Sequence, residues 1–347
     1  MGLVTDYNEV KEVYQEAAES GIALPVFCAE DRETLEAILA SAYEFGKKIG
    51  IDNLPVIPAW TSRYPARGQM TLVSKCGNAV LGNELMFSDL EVFAGQNSPY
   101  KNLRILPHLD HAFPWLDMDI LDGFADKFAS VMCDASEKPF EENIKLTAEY
   151  TERVKGKVVV EGAVDEVFES GGGEKNEHTT VAQAKRFLAE TGVDIIVPNV
   201  GTEHRATADQ VKYNSERSRE LSAELGKVMC LHGTSSVAPK DLPKLPIDGF
   251  VKINVYTTIA VHGGQAMARK TLDNLGNIFS VEQLEELIAQ GYLGKNVLDA
   301  NFAENRSPIK PKLADVTNPP RRDAWFEGVK NRCMDFYEVF NYENFAE

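Results

Sequence analysis

Three things are missing from this 347-residue chain: an apolar run of membrane-spanning length, a cluster of basic residues, and a C-x-x-C pair. A membrane-crossing helix needs about 20 consecutive, mostly apolar residues, so that class is not expected. The opening residues MGLVTD lack the basic-then-apolar order of a secretory signal. Asp6 also stands where an N-myristoylation motif requires Ser or Thr. With a formal net charge of −17 and no basic patch, a nucleic-acid partner is not expected either. The five cysteines, Cys28, Cys76, Cys133, Cys230 and Cys333, are odd in number and scattered, which reads as free thiols in a reducing compartment. The expectation is a soluble cytoplasmic protein.

What is present is a large hydrophobic fraction, 44%, arranged in short runs rich in Val and Ile. They are PVFCA (25–29), PVIPAW (55–60), RILPHLD (104–110), ASVMCD (129–134), KVVVEGAV (157–164), DIIVPNVG (194–201), VMCLHG (228–233) and FVKINVYT (250–257). Their apolar residues are nearly continuous, as in strands covered on both faces by helices. Helical patterns fill the gaps. Asp31 is placed to cap a helix in which Leu35, Ile38, Leu39 and Tyr43 share one face. Segments 140–154, 181–192 and 215–226 follow, the last two ending on Gly. Eight strand candidates with helical crossovers predict an α/β fold, a (β/α)8 TIM barrel, over residues 1–275. An open doubly wound sheet is the rival, since periodicity does not report closure. Residues 276–347 are expected to form a helical C-terminal extension packed on the barrel or on a partner subunit.

Of six histidines, three fall at or beyond the C-terminal ends of different strand candidates. His111 follows the third, His204 lies in GTEHR after the sixth, and His232 ends the seventh. In a parallel barrel those ends share one rim. Three imidazoles there suit Zn²⁺ with a position left open for substrate, although a single strand-end histidine is more often just hydrogen-bonded. Asp110 follows the third strand, Asp134 ends the fourth, and Glu161 lies in the fifth. A carboxylate beside a ligand serves as a general acid–base or orients the ligand. Equally, Asp134 could cap the next segment and Glu161 belong to a buried pair. Asn254 points from the eighth strand either to a substrate hydroxyl or into a turn. His108 is expected to support the rim, while His178 and His262 receive no assignment.

The segments carrying these residues resemble the class II, zinc-dependent fructose-bisphosphate aldolase family, from about residue 104 to 265. LDHAFPWLDMDILDGF is similar to the family's metal-ligand segment, and SVMCDASEKPFEENIKLTAEY to its M-I-D-x-S…x-x-E-N-I stretch. GTEHR, LHGTSS and VKINVYTT resemble G-T-S-H-G, L-H-G-G-S-G and V-K-I-N-V-D-T-D in the same order. The resemblance implies reversible retro-aldol cleavage through a metal-stabilised enediolate. It implies His111, His204 and His232 as zinc ligands, Asp110 as acid–base, and Asp134 and Glu161 as supports behind the ligands. Asn254, Gly233, Ser235 and Thr257 would touch substrate. A second proton-transfer group is expected on the Gly-rich loop SGGGEKNEHTT (170–180), Glu174 first and Glu177 second. Trp60, Thr61, Ser62 and Arg63 are expected to line the sugar site. The implied cofactor is Zn²⁺, with a monovalent cation left open. The implied partners are a small sugar or sugar phosphate and further copies of the chain, as a homodimer or larger.

The departures cluster around phosphate. Arg205 stands where the family has Gly after its ligand histidine. The G-G-S-G loop reads Gly233, Thr234, Ser235, Ser236, and the D-T-D element reads Tyr256, Thr257, Thr258. Larger side chains obstruct the close backbone approach that glycine allows. Glu327 occupies a position where some members place a phosphate-binding arginine, and Ala163 replaces one carboxylate near the metal. The expected substrate is therefore a ketose or ketose phosphate other than fructose 1,6-bisphosphate, with Arg205 gripping a differently placed anion or a sugar hydroxyl. The alternatives are an ordinary fructose- or tagatose-bisphosphate aldolase, another barrel metalloenzyme using the same intermediate, and a non-catalytic metal-binding relative.

Overall fold

The computed structural model describes residues 2–166, 178–204, 206, 212–298, 315 and 319–346. Each apolar run yields a strand: β1 (Leu24–Cys28), β2 (Pro55–Thr61), β3 (His108–Ala112), β4 (Ser130–Cys133), β5 (Val159–Ala163), β6 (Ile195–Val197), β7 (Met229–Leu231) and β8 (Phe250–Val255). Every strand pairs in parallel with the next, and β8 returns to β1, closing an eight-stranded barrel. The chain is thus a (β/α)8 TIM barrel, and the open-sheet rival is ruled out. All residues of all eight strands are buried, which explains the unbroken apolar runs.

Helices α1 (Tyr7–Glu19), α2 (Arg32–Ile49), α3 (Gln69–Leu72), α4 (Ala79–Ala94), α5 (Pro114–Gly123), α6 (Phe140–Val154), α7 (Val181–Thr191), α8 (Ser215–Leu225) and α9 (Thr257–Leu272) surround it. Asp31 caps α2 by accepting from the Thr34 N–H at 2.7 Å. Gly192 ends α7 with φ 68°. The long connection 62–103 holds α3 and α4, and between β7 and β8 there are two short 3₁₀ turns where other crossovers carry a helix. RILPHLD does not form one strand. Arg104–Ile105 pairs with the start of β2 and with Gly2–Leu3, and β3 begins at His108 after Pro107. No helix among the described residues is long and apolar enough to cross a membrane.

After α9 come α10 (Leu275–Ile278), α11 (Val281–Ala289) and α12 (Pro319–Val339). The last packs across α2 and α9. The approach is close because Gly328 has no side chain: a Cβ there would lie 2.9 Å from the His262 carbonyl oxygen. Tyr337 of α12 sets its ring edge-on to Phe27 of β1 at 5.5 Å. Trp325 donates its indole N–H to Thr34 Oγ1 at 2.9 Å. Burying Phe336 and Tyr337 contributes about 1.5–3 kcal/mol each to holding this helix against the barrel.

Candidate active site

Strict strand alternation would send the side chains of Asp110 and His111 to opposite faces of β3. The strand avoids this by a bulge. Its register with β4 shifts between Leu109 and Ala112, and His111 takes φ 42°, in the left-handed region that a non-glycine residue rarely enters. Both side chains consequently line one cleft. Holding His111 there costs about 1–3 kcal/mol of backbone strain. A second local device brings His204 and His232 together. Gly233 has φ 71°, and a Cβ on it would lie 2.8 Å from the Glu203 carbonyl oxygen, so the loops after β6 and β7 touch backbone to backbone. Glu203 N–H donates to Ser236 Oγ at 3.2 Å across the same contact.

The three imidazoles converge. Ring centroids of His111 lie 4.9 Å from His204 and 4.7 Å from His232, and one nitrogen from each ring falls within 4.8 Å of the others. Behind them, His111 Nδ1 donates to Asp134 Oδ2 at 2.7 Å, and His232 Nε2 donates to Glu161 Oε1 at 3.0 Å. Those carboxylates fix the tautomers: the remaining nitrogens, His111 Nε2 and His232 Nδ1, are both lone-pair acceptors when neutral. They nevertheless face each other at 3.0 Å. Two acceptors cannot satisfy one another, so the pair needs either a proton or a metal ion between the two nitrogens. Burial opposes charge on His111, but Asp110 and the bond to Asp134 raise its pKa to about 9. Without a metal, that proton bridges His111 Nε2 to His232 Nδ1; once it leaves, three imidazoles with an open side present the donor chemistry of a catalytic zinc site. The residues fit that ion.

Asp110 stands next to this set, 3.9 Å from His111 Nε2. Its Oδ1 accepts from the Asn254 amide at 2.9 Å, and its Oδ2 from the Cys28 thiol at 3.4 Å. Burial alone would raise its pKa, yet the positive charge nearby, that of His111 first, holds it down at about 2. Asn254 is itself fixed on β8, where its carbonyl oxygen accepts from Thr234 Oγ1 at 2.7 Å. Gly233, Ser235 and Thr257 join Asp110, Asn254 and the imidazoles around the cleft. Tyr64 stacks on His111 with centroids 4.7 Å apart.

Beneath the rim lies a buried ionic layer that sequence reasoning did not assign. Lys252 donates to Glu161 Oε2 at 2.6 Å and to His108 Nε2 at 3.0 Å. His108 Nδ1 donates to Ser130 Oγ at 2.8 Å. Burial, then Lys252, lowers the His108 pKa to about 3, so the ring is neutral. His108 therefore sits inside the barrel and does not support the rim as expected. The signal for Lys252 was available: it shares a strand face with Asn254, two residues on.

The expected sugar-lining group divides. Thr61 reaches the cleft. Trp60 packs on Phe87 and donates to Asn83, Ser62 accepts from Asn83, and Arg63 turns to Asp119 and Asp117. Glu327 pairs with Lys330 within α12, at a distance from the cleft lining. His178 accepts from Asn214 at 2.9 Å. Glu174, Glu177 and Arg205 lie outside the described residues.

Comparison with known proteins agrees with this geometry. The sequence profile of the family described as "Fructose-bisphosphate aldolase class-II" matches residues 8–318. A fructose-bisphosphate aldolase of Staphylococcus epidermidis is 25% identical over 277 residues, covering 78% of this chain and 87% of that protein. One from Staphylococcus aureus is 26% identical over 275 residues, covering 76% and 86%. Among solved structures, fructose-bisphosphate aldolase from Campylobacter jejuni superposes with a TM-score of 0.74 at 18% identity over 99% of this chain and 96% of that one. The YdjI aldolase of Escherichia coli K12 gives 0.67 at 18% over 97% and 98%. Matched along most of its length, and folded so that three imidazoles meet a carboxylate on the barrel rim, the chain belongs to the class-II fructose-bisphosphate aldolase family and is an aldolase.

Proposed function

We propose that the protein is a zinc-dependent aldolase that reversibly cleaves a ketose or ketose phosphate other than fructose 1,6-bisphosphate. The observation that carries the reading is the convergence of one ring nitrogen each from His111, His232 and His204, within 4.8 Å of one another and beside Asp110. These three side chains would hold the ion, with Asp134 and Glu161 fixing their tautomers from behind. Bound there, zinc supplies Lewis-acid stabilisation for the negative charge that carbon–carbon cleavage leaves on the ketone fragment. Asp110 rests as a carboxylate. It takes the proton from the hydroxyl across the scissile bond, and returns it in condensation. The Asn254 amide and the Cys28 thiol each hold one of its oxygens, so the base is aimed before substrate arrives.

Asn254, Gly233, Ser235 and Thr257 are assigned to substrate contact. Glu174 is assigned the second proton transfer, and Arg205 a grip on an anion or hydroxyl, on the sequence resemblance. The altered substrate is supported by Thr234, Tyr256 and Thr258 lining the cleft where the family pattern has Gly and Asp. The test is a panel of phosphorylated and free ketoses offered to zinc-loaded and chelated enzyme, with products counted by carbon number. Metal-dependent cleavage that is poor with fructose 1,6-bisphosphate is expected. Efficient cleavage of that substrate would overturn the substrate assignment, and products of unchanged carbon number would overturn the reaction.

A further inference from the structure

The arc of rim formed by β8, β1 and β2 carries none of the three imidazoles, and three loops build a single wall there. Arg67, on the loop after β2, ion-pairs with Glu30, two residues past the end of β1. Tyr256, following β8, donates its hydroxyl to the same Glu30 carboxylate at 2.5 Å. The guanidinium carbon of Arg67 lies 5.8 Å from the Tyr256 ring centre. The Arg67 loop is pinned from below. Thr61 Oγ1 donates to the Arg67 carbonyl at 2.5 Å, and the Gln69 side chain accepts from Thr61 N–H at 2.9 Å.

This wall faces one particular part of the substrate, an argument that rests on the aldolase reading above. Asp110 is held by Asn254 on β8 and Cys28 on β1, so its carboxylate leans toward this arc. A substrate spanning the imidazoles and Asp110 has its ketone fragment on the metal side. The fragment whose hydroxyl proton Asp110 removes, and which departs as the aldehyde, extends toward Glu30, Arg67 and Tyr256. Among the described residues lining the cleft, Arg67 is the one Lys or Arg. Its charge is already matched by Glu30. Glu30 lies behind Arg67 and Tyr256, so a phosphate dianion at the wall would find that guanidinium already neutralised and no other Lys or Arg among the described lining residues, whereas hydroxyl groups can bond to Tyr256 and Arg67.

We propose that Glu30, Arg67 and Tyr256 form a charge-balanced wall that selects an uncharged, hydroxylated aldehyde over its phosphate ester, with Glu30 as the discriminating residue. The test is condensation by zinc-loaded enzyme of glyceraldehyde or glyceraldehyde 3-phosphate with dihydroxyacetone or its phosphate, whichever ketone is turned over. The kcat/KM for glyceraldehyde is expected to exceed that for the phosphate by about tenfold or more. Glu30→Gln keeps an acceptor for Tyr256 but frees the Arg67 charge, and should move the ratio about tenfold toward the phosphate. Adding Arg67→Met should cancel that shift. Preference of the parent enzyme for glyceraldehyde 3-phosphate, or a ratio unmoved by Glu30→Gln, would overturn the proposal. Calorimetry with unreactive glycerol 3-phosphate gives a reading free of turnover: Glu30→Gln should bind it more tightly than the parent, and only while Arg67 is present. That pattern in a protein cleaving no ketose would keep the wall and sink the aldolase reading. Turnover of both aldehydes with an unmoved ratio would do the reverse.

Discussion

Replacing Lys252 by Met tests whether the ionic layer under the rim holds the site together. Lys252 and Glu161 are both fully buried, and their bond is 2.6 Å long. Burial works against the Lys252 ammonium, but Glu161 keeps it charged. For Glu161, burial is outweighed by Lys252 and His232, which hold its pKa well below the usual carboxylate range. Met matches the Lys stem in volume, so packing changes little. What changes is that one Glu161 oxygen and His108 Nε2 both lose their donor where all three side chains are fully buried. Orphaning one half of a buried ion pair costs about 3–5 kcal/mol. At about 2.1 cal/mol/K of unfolding entropy per residue, that loss lowers the Tm of a chain this size by about 4–7 °C.

The assay is thermal unfolding of the metal-free protein, so that altered zinc binding does not enter. The double variant Lys252→Met with Glu161→Gln supplies the internal check. Gln leaves an oxygen to accept from His232 Nε2 and removes the stranded charge, so at least half of the lost stability should return. A single variant within about 1 kcal/mol of the parent, or a double variant no better than the single, would refute the claim that an uncompensated carboxylate is what matters.

Chelation should lower the Tm of the parent protein, because an ion at 100 times its Kd adds about 2.7 kcal/mol to the folded state; equal melting with and without chelator would count against the metal site. Asp110→Asn should cut kcat by about 10²–10⁴-fold with zinc content unchanged by elemental analysis. Asp134→Asn removes the charge that anchors His111 and should weaken zinc binding by about 10–100-fold in chelator titrations. Gly328→Val forces α12 away from the His262 carbonyl and should cost about 1–3 kcal/mol in a denaturant titration, with the imidazole cluster intact.

The strands were legible because a barrel buries both faces of each one, and a continuous apolar run records that directly. Helix ends were legible for a similarly local reason: Asp31 and Gly192 act on backbone groups within a turn of themselves. The rim histidines followed once the barrel was assumed, since strand ends in a parallel barrel gather at one place. Glu30 and Arg67 of the wall, and Tyr64 on His111, come from loops, where no periodicity governs direction, and no pattern marked them. Lys252 and His108 were different. Each lies on an inward strand face with Asn254 or Asp110 by simple alternation, so their chemistry was readable even though their depth below the rim was not.

His111 shows where reading by alternation must fail. Counting by twos from Asp110 points it outward, to be buried under helices, and only the bulge with its left-handed backbone turns it in. Strain of that kind is not encoded by its own residue, since histidine gains nothing locally at φ 42°. It persists because surrounding contacts over-determine it: the bond to Asp134, the ring of Tyr64 and the pairing of β3 on both sides. The same contacts bring His111 Nε2 against His232 Nδ1, a second arrangement that requires a proton or a metal ion between the two nitrogens. A bound metal ion would replace that proton and draw on both nitrogens at once. In the proposed reaction, the bulge is the feature that lets one short strand deliver both a metal ligand and the base beside it.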